Sequence, residues 1–188
     1  MTHRIWAACL ASYNNGILHG TWIDTSTDVD EMQTEVDAML KRSTMPGAEE
    51  WAIHATDGDW LIGISETAGL AAVARLMAIK EALEDDHDDD TALALYKAYE
   101  DHYGAHYIKS TEPSDIAEAI RDAFLGEYGS REDWAEQHAD DTGMLENIPE
   151  GLRNYFDFDA WARDAEINGD VDFVDSGYRS VLVFCWSR

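Results

Sequence analysis

The sequence predicts an α+β protein, and three observations carry that prediction. Apolar, β-prone runs lie at the two ends of the 188 residues, while stretches of helical periodicity fill the positions between and beside them. The strand-like runs approach one another through Asn-Asn-Gly and Asp-Ser-Gly turns, which suits antiparallel neighbours. Hydrophobic residues make up 45% of the chain and aromatics 11%, too much for a disordered acidic polypeptide, so a core forms despite a formal charge of -26. The expected organisation is an N-terminal antiparallel β-sheet with a helix (residues 1–60), a mostly helical middle (61–110), and C-terminal helices with a second antiparallel sheet (111–188).

Residues 5–13 are apolar and β-prone, Asn14-Asn15-Gly16 tolerates positive φ, and residues 17–24 resume the strand pattern, so the chain begins as a β-hairpin. From 28 to 40, Val29, Met32, Val36, Met39 and Leu40 recur on one helical face, with Thr27 or Asp28 as the cap. A strand at 51–55 completes this module. Residues 66–83 and 91–103 are helical in character. Between them Glu84-Asp85-Asp86-His87-Asp88-Asp89-Asp90 is too densely charged to pack and reads as an exposed loop or frayed helix end.

A helix opens at Pro113-Ser114 and runs to about Glu127, with Ile116, Ala117, Ile120 and Phe124 on one face and Asp115, Glu118 and Asp122 nearly opposite. The next begins at Ser130, with Asp133 three positions on, and stops near Gly143. At about 100° per residue, Glu132, Asp133, Glu136 and Asp140 fit inside an arc of roughly 100°, and Trp134 and His138 lie elsewhere. Glu127 and Asp141 extend these carboxylate ladders, and Glu31 and Glu35 repeat the spacing on the first long helix. A helical stretch at 151–166 leads through Asn168-Gly169 into a strand at 170–175. The last strand, 178–186, is apolar on both faces, with Tyr178, Leu182, Phe184 and Trp186 on one and Val181, Val183 and Cys185 on the other. Such a strand is central in a sheet or lies at a subunit interface.

Thirty-nine acids against 13 bases exclude direct binding to nucleic acid and to anionic membranes, both of which require clustered Lys and Arg. The charge is not a tail: residues 1–94 hold 18 acids and 5 bases, and residues 95–188 hold 21 and 8. No apolar run approaches a membrane span, and the expected location is the cytoplasm. Cys9 and Cys185 fall in apolar segments and read as free buried thiols, and the seven Trp residues read as core. No nucleophile elbow, Walker loop or dinucleotide fingerprint occurs. His102 and His106 lack the Glu of a zinc-protease helix, the Asp-rich run lacks EF-hand spacing, and residues 168–177 place Val and Phe where calcium ligands belong. No catalytic residue, metal or cofactor is expected.

Duplex DNA carries one negative charge per about 1.7 Å of axis, so a charge of -26 matches about 44 Å of duplex. Rows of acids three and four apart on a helix, about 5–6 Å from one another, can stand where phosphates would lie. Surface acidity with only four Lys and 23 Asp also suits a small enzyme or divalent-metal-binding protein adapted to concentrated salt.

Sequence motifs separate these alternatives. IWAACLASYNNGILHGTWID at the N-terminus, GAEEWAIHATDG at 47–58 and FLGEYGSREDWAEQHADDTGMLENIPEGLRNYFDFDAWARDAEINGDVDF toward the C-terminus resemble the ArdA antirestriction family, with LGEY, IPEGLRNYFD and AWARD in the same order. The resemblance implies an elongated, curved homodimer of three small modules that mimics bent B-form DNA. It further implies an inhibitor of type I restriction-modification enzymes, seated in the groove of their specificity and methyltransferase subunits and encoded on a mobile genetic element. The family's dimer contact lies in its last module, which here corresponds to Tyr155, Phe156 and Phe158 with Val181, Val183 and Phe184 of the terminal strand.

Overall fold

A computed structural model describes residues 2–153, 155–176 and 179–186. Among these the fold is α+β, as the sequence predicts, with nine α-helices and two three-stranded antiparallel sheets. The packing divides into two compact units, Met1–Leu93 with His106–Ala117, and Ala94–Ala105 with Glu118–Arg188.

The first unit is built on β1 (Arg4–Cys9), flanked by β2 (Gly20–Asp24) and β3 (Trp51–Asp57) in the order β2-β1-β3. Alternation along the strands buries Ile5, Ala7, Cys9 and Ile23, while Trp6 lies opposite Trp22 on the other face. Helix α2 (Val29–Lys41) contributes buried Met32, Val36 and Met39, one apolar side chain per turn. Each such burial contributes about 1.5–3 kcal/mol. Asp28 caps α2 by accepting hydrogen bonds from the Asp30 and Glu31 amides at 2.9 and 3.2 Å.

The opening hairpin is corrected in its connection. β1 and β2 do pair antiparallel, but residues between them form a short helix, α1 (Leu10–Asn14), instead of continuing the strand to a two-residue turn. Ser12 turns inward to meet Ser43 Oγ at 2.9 Å, the Asn15 amide nitrogen donates to the Ala11 carbonyl at 2.8 Å, and Gly16 takes φ +75°. Asn15-Gly16 therefore closes a helical turn, a role these residues fill as readily as a hairpin turn.

A 3-10 turn (Asp59–Leu61) leads to α3 (Gly69–Glu84), α4 (Asp89–Tyr103) and α5 (Ala105–Ser110). Arg75 of α3 donates to the carbonyls of Ile108, at 2.7 Å, and Thr111. The acid run is only partly the exposed loop expected: Glu84 closes α3, Asp89 already belongs to α4, and both are half-buried.

Helix α6 (Pro113–Ala123) contributes to both units and ends four residues earlier than predicted. Phe124–Tyr128 is a strand, β4, because its backbone pairs with the last strand, β6 (Val181–Phe184), so Glu127 sits on a sheet edge. Next come α7 (Arg131–Asp141), α8 (Glu150–Arg153), α9 (Phe158–Asn168) and β5 (Asp172–Asp175). The single helix expected over 151–166 is thus two, because Asp157 caps a new start by accepting from the Ala160 amide at 2.9 Å. The sheet order is β4-β6-β5, so the doubly apolar strand is central. Trp134, Ala135, Ala162, Ala165, Val171, Phe173 and Val183 form the core, with Trp134 stacked on Trp161 at 5.7 Å between ring centroids. Tyr178 and Gly177, assigned to the last strand and its turn, lie outside the described residues.

The uniform reading of tryptophan as core is also corrected. Trp60 and Trp134 are buried; Trp6, Trp51, Trp161 and Trp186 are half-buried, and Trp22 is exposed on β2. The indoles are too large for sheets this small to cover on both faces. Both cysteines are free, Cys9 buried and Cys185 exposed, since β6 ends one residue before Cys185.

Candidate functional site

Helical geometry presents the carboxylates. In α6, Ile116, Ala117, Ile120 and Ala123 are buried, which forces Asp115, Glu118 and Asp122 outward on the opposite face. In α7 the buried residues are Trp134, Ala135 and Ala139, and Glu132, Asp133, Glu136 and Asp140 are all exposed. Ser130 starts this helix as predicted, its hydroxyl accepting from the Asp133 amide at 3.0 Å. Asp141 is exposed too, but on the helical wheel it falls about 80° outside the arc of the other four. On α2, Glu31 and Glu35 are exposed opposite Met32 and Val36.

These groups have almost no internal partners. None of Glu31, Glu35, Glu118, Asp122, Glu132, Asp133, Glu136, Asp140 and Asp141 has a cation within ion-pair distance among the described residues. Asp115 accepts only a 3.3 Å hydrogen bond from Ser114, and Glu127 accepts one from the Ser180 hydroxyl across the sheet. An exposed carboxylate without a local counter-ion is left unbalanced by the protein itself and is screened only by water and salt.

Other acids serve the fold. Asp28 and Asp157 cap α2 and α9, and Asp88 accepts from the Thr91 amide at 2.8 Å, a bond that holds the Asp88 carboxyl below its ordinary range. Asp89 joins a polar network that the sequence reading missed. Trp60 Nε1 donates to Asp89 Oδ1 at 2.8 Å, Lys80 Nζ lies 3.5 Å from that oxygen and 2.5 Å from Glu84 Oε2, and His3 Nε2 lies 3.8 Å from Asp89 Oδ2. Burial raises the Asp89 pKa, but the Trp60 hydrogen bond and the Lys80 and His3 charges outweigh it and leave the group below its ordinary value. Burial also dominates at His3, which is 5% exposed with neither ring nitrogen hydrogen-bonded; the Asp89 charge opposes it, and the net shift is downward. The only sequence signal for this network was an acid run adjoining an apolar helix, which does not name the member that turns inward.

The aromatic and strand residues assigned to a dimer contact fall into two environments. Val183 and Phe184 are fully buried within the second unit, and Phe158 and Val181 pack partly buried against its core. Phe156 is half-buried, 4.9 Å from Phe158 between centroids, while Tyr155 is 83% exposed. Of the metal candidates, His102 pairs with Asp172 at 3.5 Å and stacks on Trp186, and Gly104 separates it from His106 on the next helix. Among the described residues no three His, Cys, Asp or Glu side chains gather as a metal site.

Comparison with known families matches residues 5–180 to the family described as Antirestriction protein (ArdA). The chain belongs to the ArdA family. ArdA proteins are non-enzymatic antirestriction proteins, which agrees with the resemblance drawn from the motifs at 5–24, 47–58 and 124–173. The search of curated proteins found no match. No described helix is long and apolar enough to cross a membrane.

Proposed function

We propose that this ArdA-family protein inhibits type I restriction-modification enzymes by occupying the groove in which their specificity and methyltransferase subunits hold DNA. Surface carboxylates stand in for phosphates: Asp115, Glu118 and Asp122 of α6, Glu132, Asp133, Glu136, Asp140 and Asp141 around α7, Glu127 of β4, and Glu31 and Glu35 of α2. In this reading the chain acts in the cytoplasm as a homodimer, without cofactor or catalytic residue, and blocks restriction and modification together because both need the same groove. Its surfaces belong to modules 1–60, 61–110 and 111–188, with self-association in the last through Tyr155, Phe156, Phe158 and Val181.

One observation supports the reading above the others. The ladder carboxylates are exposed and lack internal cations, although nine Arg and four Lys are available in the chain. A surface built this way is poor in internal ion pairs and rich in unbalanced field, which favours fast association with a cationic groove. The direct test is competition: a type I methyltransferase is pre-mixed with labelled duplex and titrated with the protein at low salt. Displacement of duplex with loss of both methylation and cleavage supports the proposal. Inhibition that leaves duplex bound would replace it with a mechanism outside the groove.

A further inference from the structure

The segment from Ile5 to Ile23 contains no Asp, Glu, Lys or Arg, in a chain of which 28% is charged. It is the longest uncharged stretch in the sequence, and part of it is surface. Ile17 and Leu18 form an exposed apolar tip between α1 and β2, with Leu18 at 79% exposure, and Trp22 is exposed on β2 itself, while Tyr13 of α1 turns toward His54 of β3, 4.6 Å away between ring centroids. β2 is an edge strand, and among the described residues no backbone hydrogen bond reaches its outer edge. Edge strands are ordinarily guarded by Lys, Pro or a bulge; Gly20-Thr21-Trp22-Ile23 has none of these, and the charge at Asp24 comes only at its end.

We propose that this edge is a self-association surface, on which a second copy of the chain adds its own β2 antiparallel to the first. The occupant is a second copy because of charge. A two-fold interface brings identical surfaces together, so between two chains of -26 it forms only where the surface carries no carboxylates of its own. Three other exposed apolar residues do not meet that condition: Tyr155 sits between Arg153 and Asp157, Ile62 between Asp59 and Glu66, and Ile167 between Glu166 and Asp170. Pairing centred on Trp22 sets each Asp24 across from Gly20, away from its own copy. It also lays the tip against segment 25–27 of the partner subunit, which is Thr-Ser-Thr and uncharged. Five residues of strand and three apolar side chains make an area below that of a standard stable interface, so the contact is weak and adds to any stronger one. Because two anionic bodies must approach, it tightens as salt rises, the reverse of binding to a cationic groove.

Sedimentation velocity reads this out. The Tyr155→Glu variant removes the separate C-terminal contact and leaves the β2 edge intact, so the two forms of self-association are told apart, and inhibition of restriction reports independently on the mimicry reading. In that variant, up to about 1 mM protein, mass is expected to rise from 21.1 kDa toward twice that value, more so at about 0.5 M than at about 0.05 M salt. Adding Ile17→Glu and Leu18→Glu, both at exposed positions, lowers the association constant at least about tenfold. Amide exchange in the unsubstituted protein gives a second readout: residues 20–24 become slower to exchange as concentration increases. A variant that stays at 21.1 kDa throughout, tip substitutions without effect, or no concentration-dependent protection in β2 would each overturn the proposal.

Discussion

Neutralising the α7 ladder with Glu132→Gln, Asp133→Asn, Glu136→Gln and Asp140→Asn takes the net charge from -26 to -22 and removes four exposed, internally unpaired carboxylates without touching Trp134, Ala135 or Ala139. Taking about 0.5–1 kcal/mol per screened contact, the set removes about 2–4 kcal/mol of binding, or about 30- to 1000-fold in inhibition constant. One substitution alone stays below about fivefold. Salt dependence is the sharper signature, since fewer charge contacts give a flatter loss of inhibition with rising salt. Glu132 and Asp133 occupy the first turn, where each stabilises the helix by about 0.3–1 kcal/mol, so circular dichroism must first establish that the variant is folded at the assay temperature. The assay is cleavage by a type I enzyme over a titration of inhibitor at two salt concentrations. A folded quadruple variant that inhibits within about twofold of the wild type at both would refute the argument that the ladder replaces phosphates.

Three further outcomes are expected. Gly58→Ala is costly, because Gly58 holds φ +112° and a Cβ there overlaps the buried His3 ring; a loss of about 2 kcal/mol or more lowers the thermal midpoint by about 4–8 °C. His3 is held below its ordinary pKa of 6.5, so the unfolded chain takes up the proton first, and the stabilising effect of neutral His3, complete above that value, is lost as pH falls below it. Urea midpoints at several pH values should therefore decline less steeply on the acid side for His3→Gln than for the wild type. Finally, circular dichroism at about 0.1 M salt with a chelator should give a native spectrum, and calcium or magnesium should leave the melting temperature unchanged. A requirement for molar salt or a stoichiometric divalent ion would favour a salt-adapted enzyme or metal-binding protein.

Legibility in the sequence followed the range of the interaction concerned. The α2 stripe of Met32, Val36 and Met39, the cap at Ser130, the α2 cap to within Thr27 or Asp28 and the placement of the α6 and α7 acids were readable, because each depends on neighbours within a turn or two. What escaped was decided by distant partners. Phe124–Tyr128 continues a helical pattern in the sequence, but pairing with Val181–Phe184 makes it a strand and moves Glu127 from a helix face to a sheet edge. Asn15-Gly16 suits a hairpin or a helix end equally, and the contact of Ser12 with Ser43 settles which. Asp89 could not be distinguished from its acidic neighbours until Trp60 and Lys80 were brought to it.

The division among the acids gives the surface its character. Asp28, Asp88, Asp89 and Asp157 stabilise helix starts or a half-buried network, and removing any one of them would be felt in folding. Of the α6 and α7 ladder acids, Asp115, Glu132 and Asp133 lie in first turns and favour their helix starts; the others do nothing of the kind, and their mutual repulsion opposes folding. A surface selected for solubility needs acids but no spacing, and it is indifferent to whether they share a face. Here Glu118 and Asp122, and Glu132, Glu136 and Asp140, recur at four residues opposite buried side chains, on helices whose far sides are fixed in the cores. Rigidity matters for a substitute for phosphate, because a groove built for a stiff polyanion gains least from charges that must first be ordered. The ArdA-family match supports the antirestriction role independently of charge. In the proposed reading, the repulsion in the free protein is a cost that binding to a cationic groove would relieve.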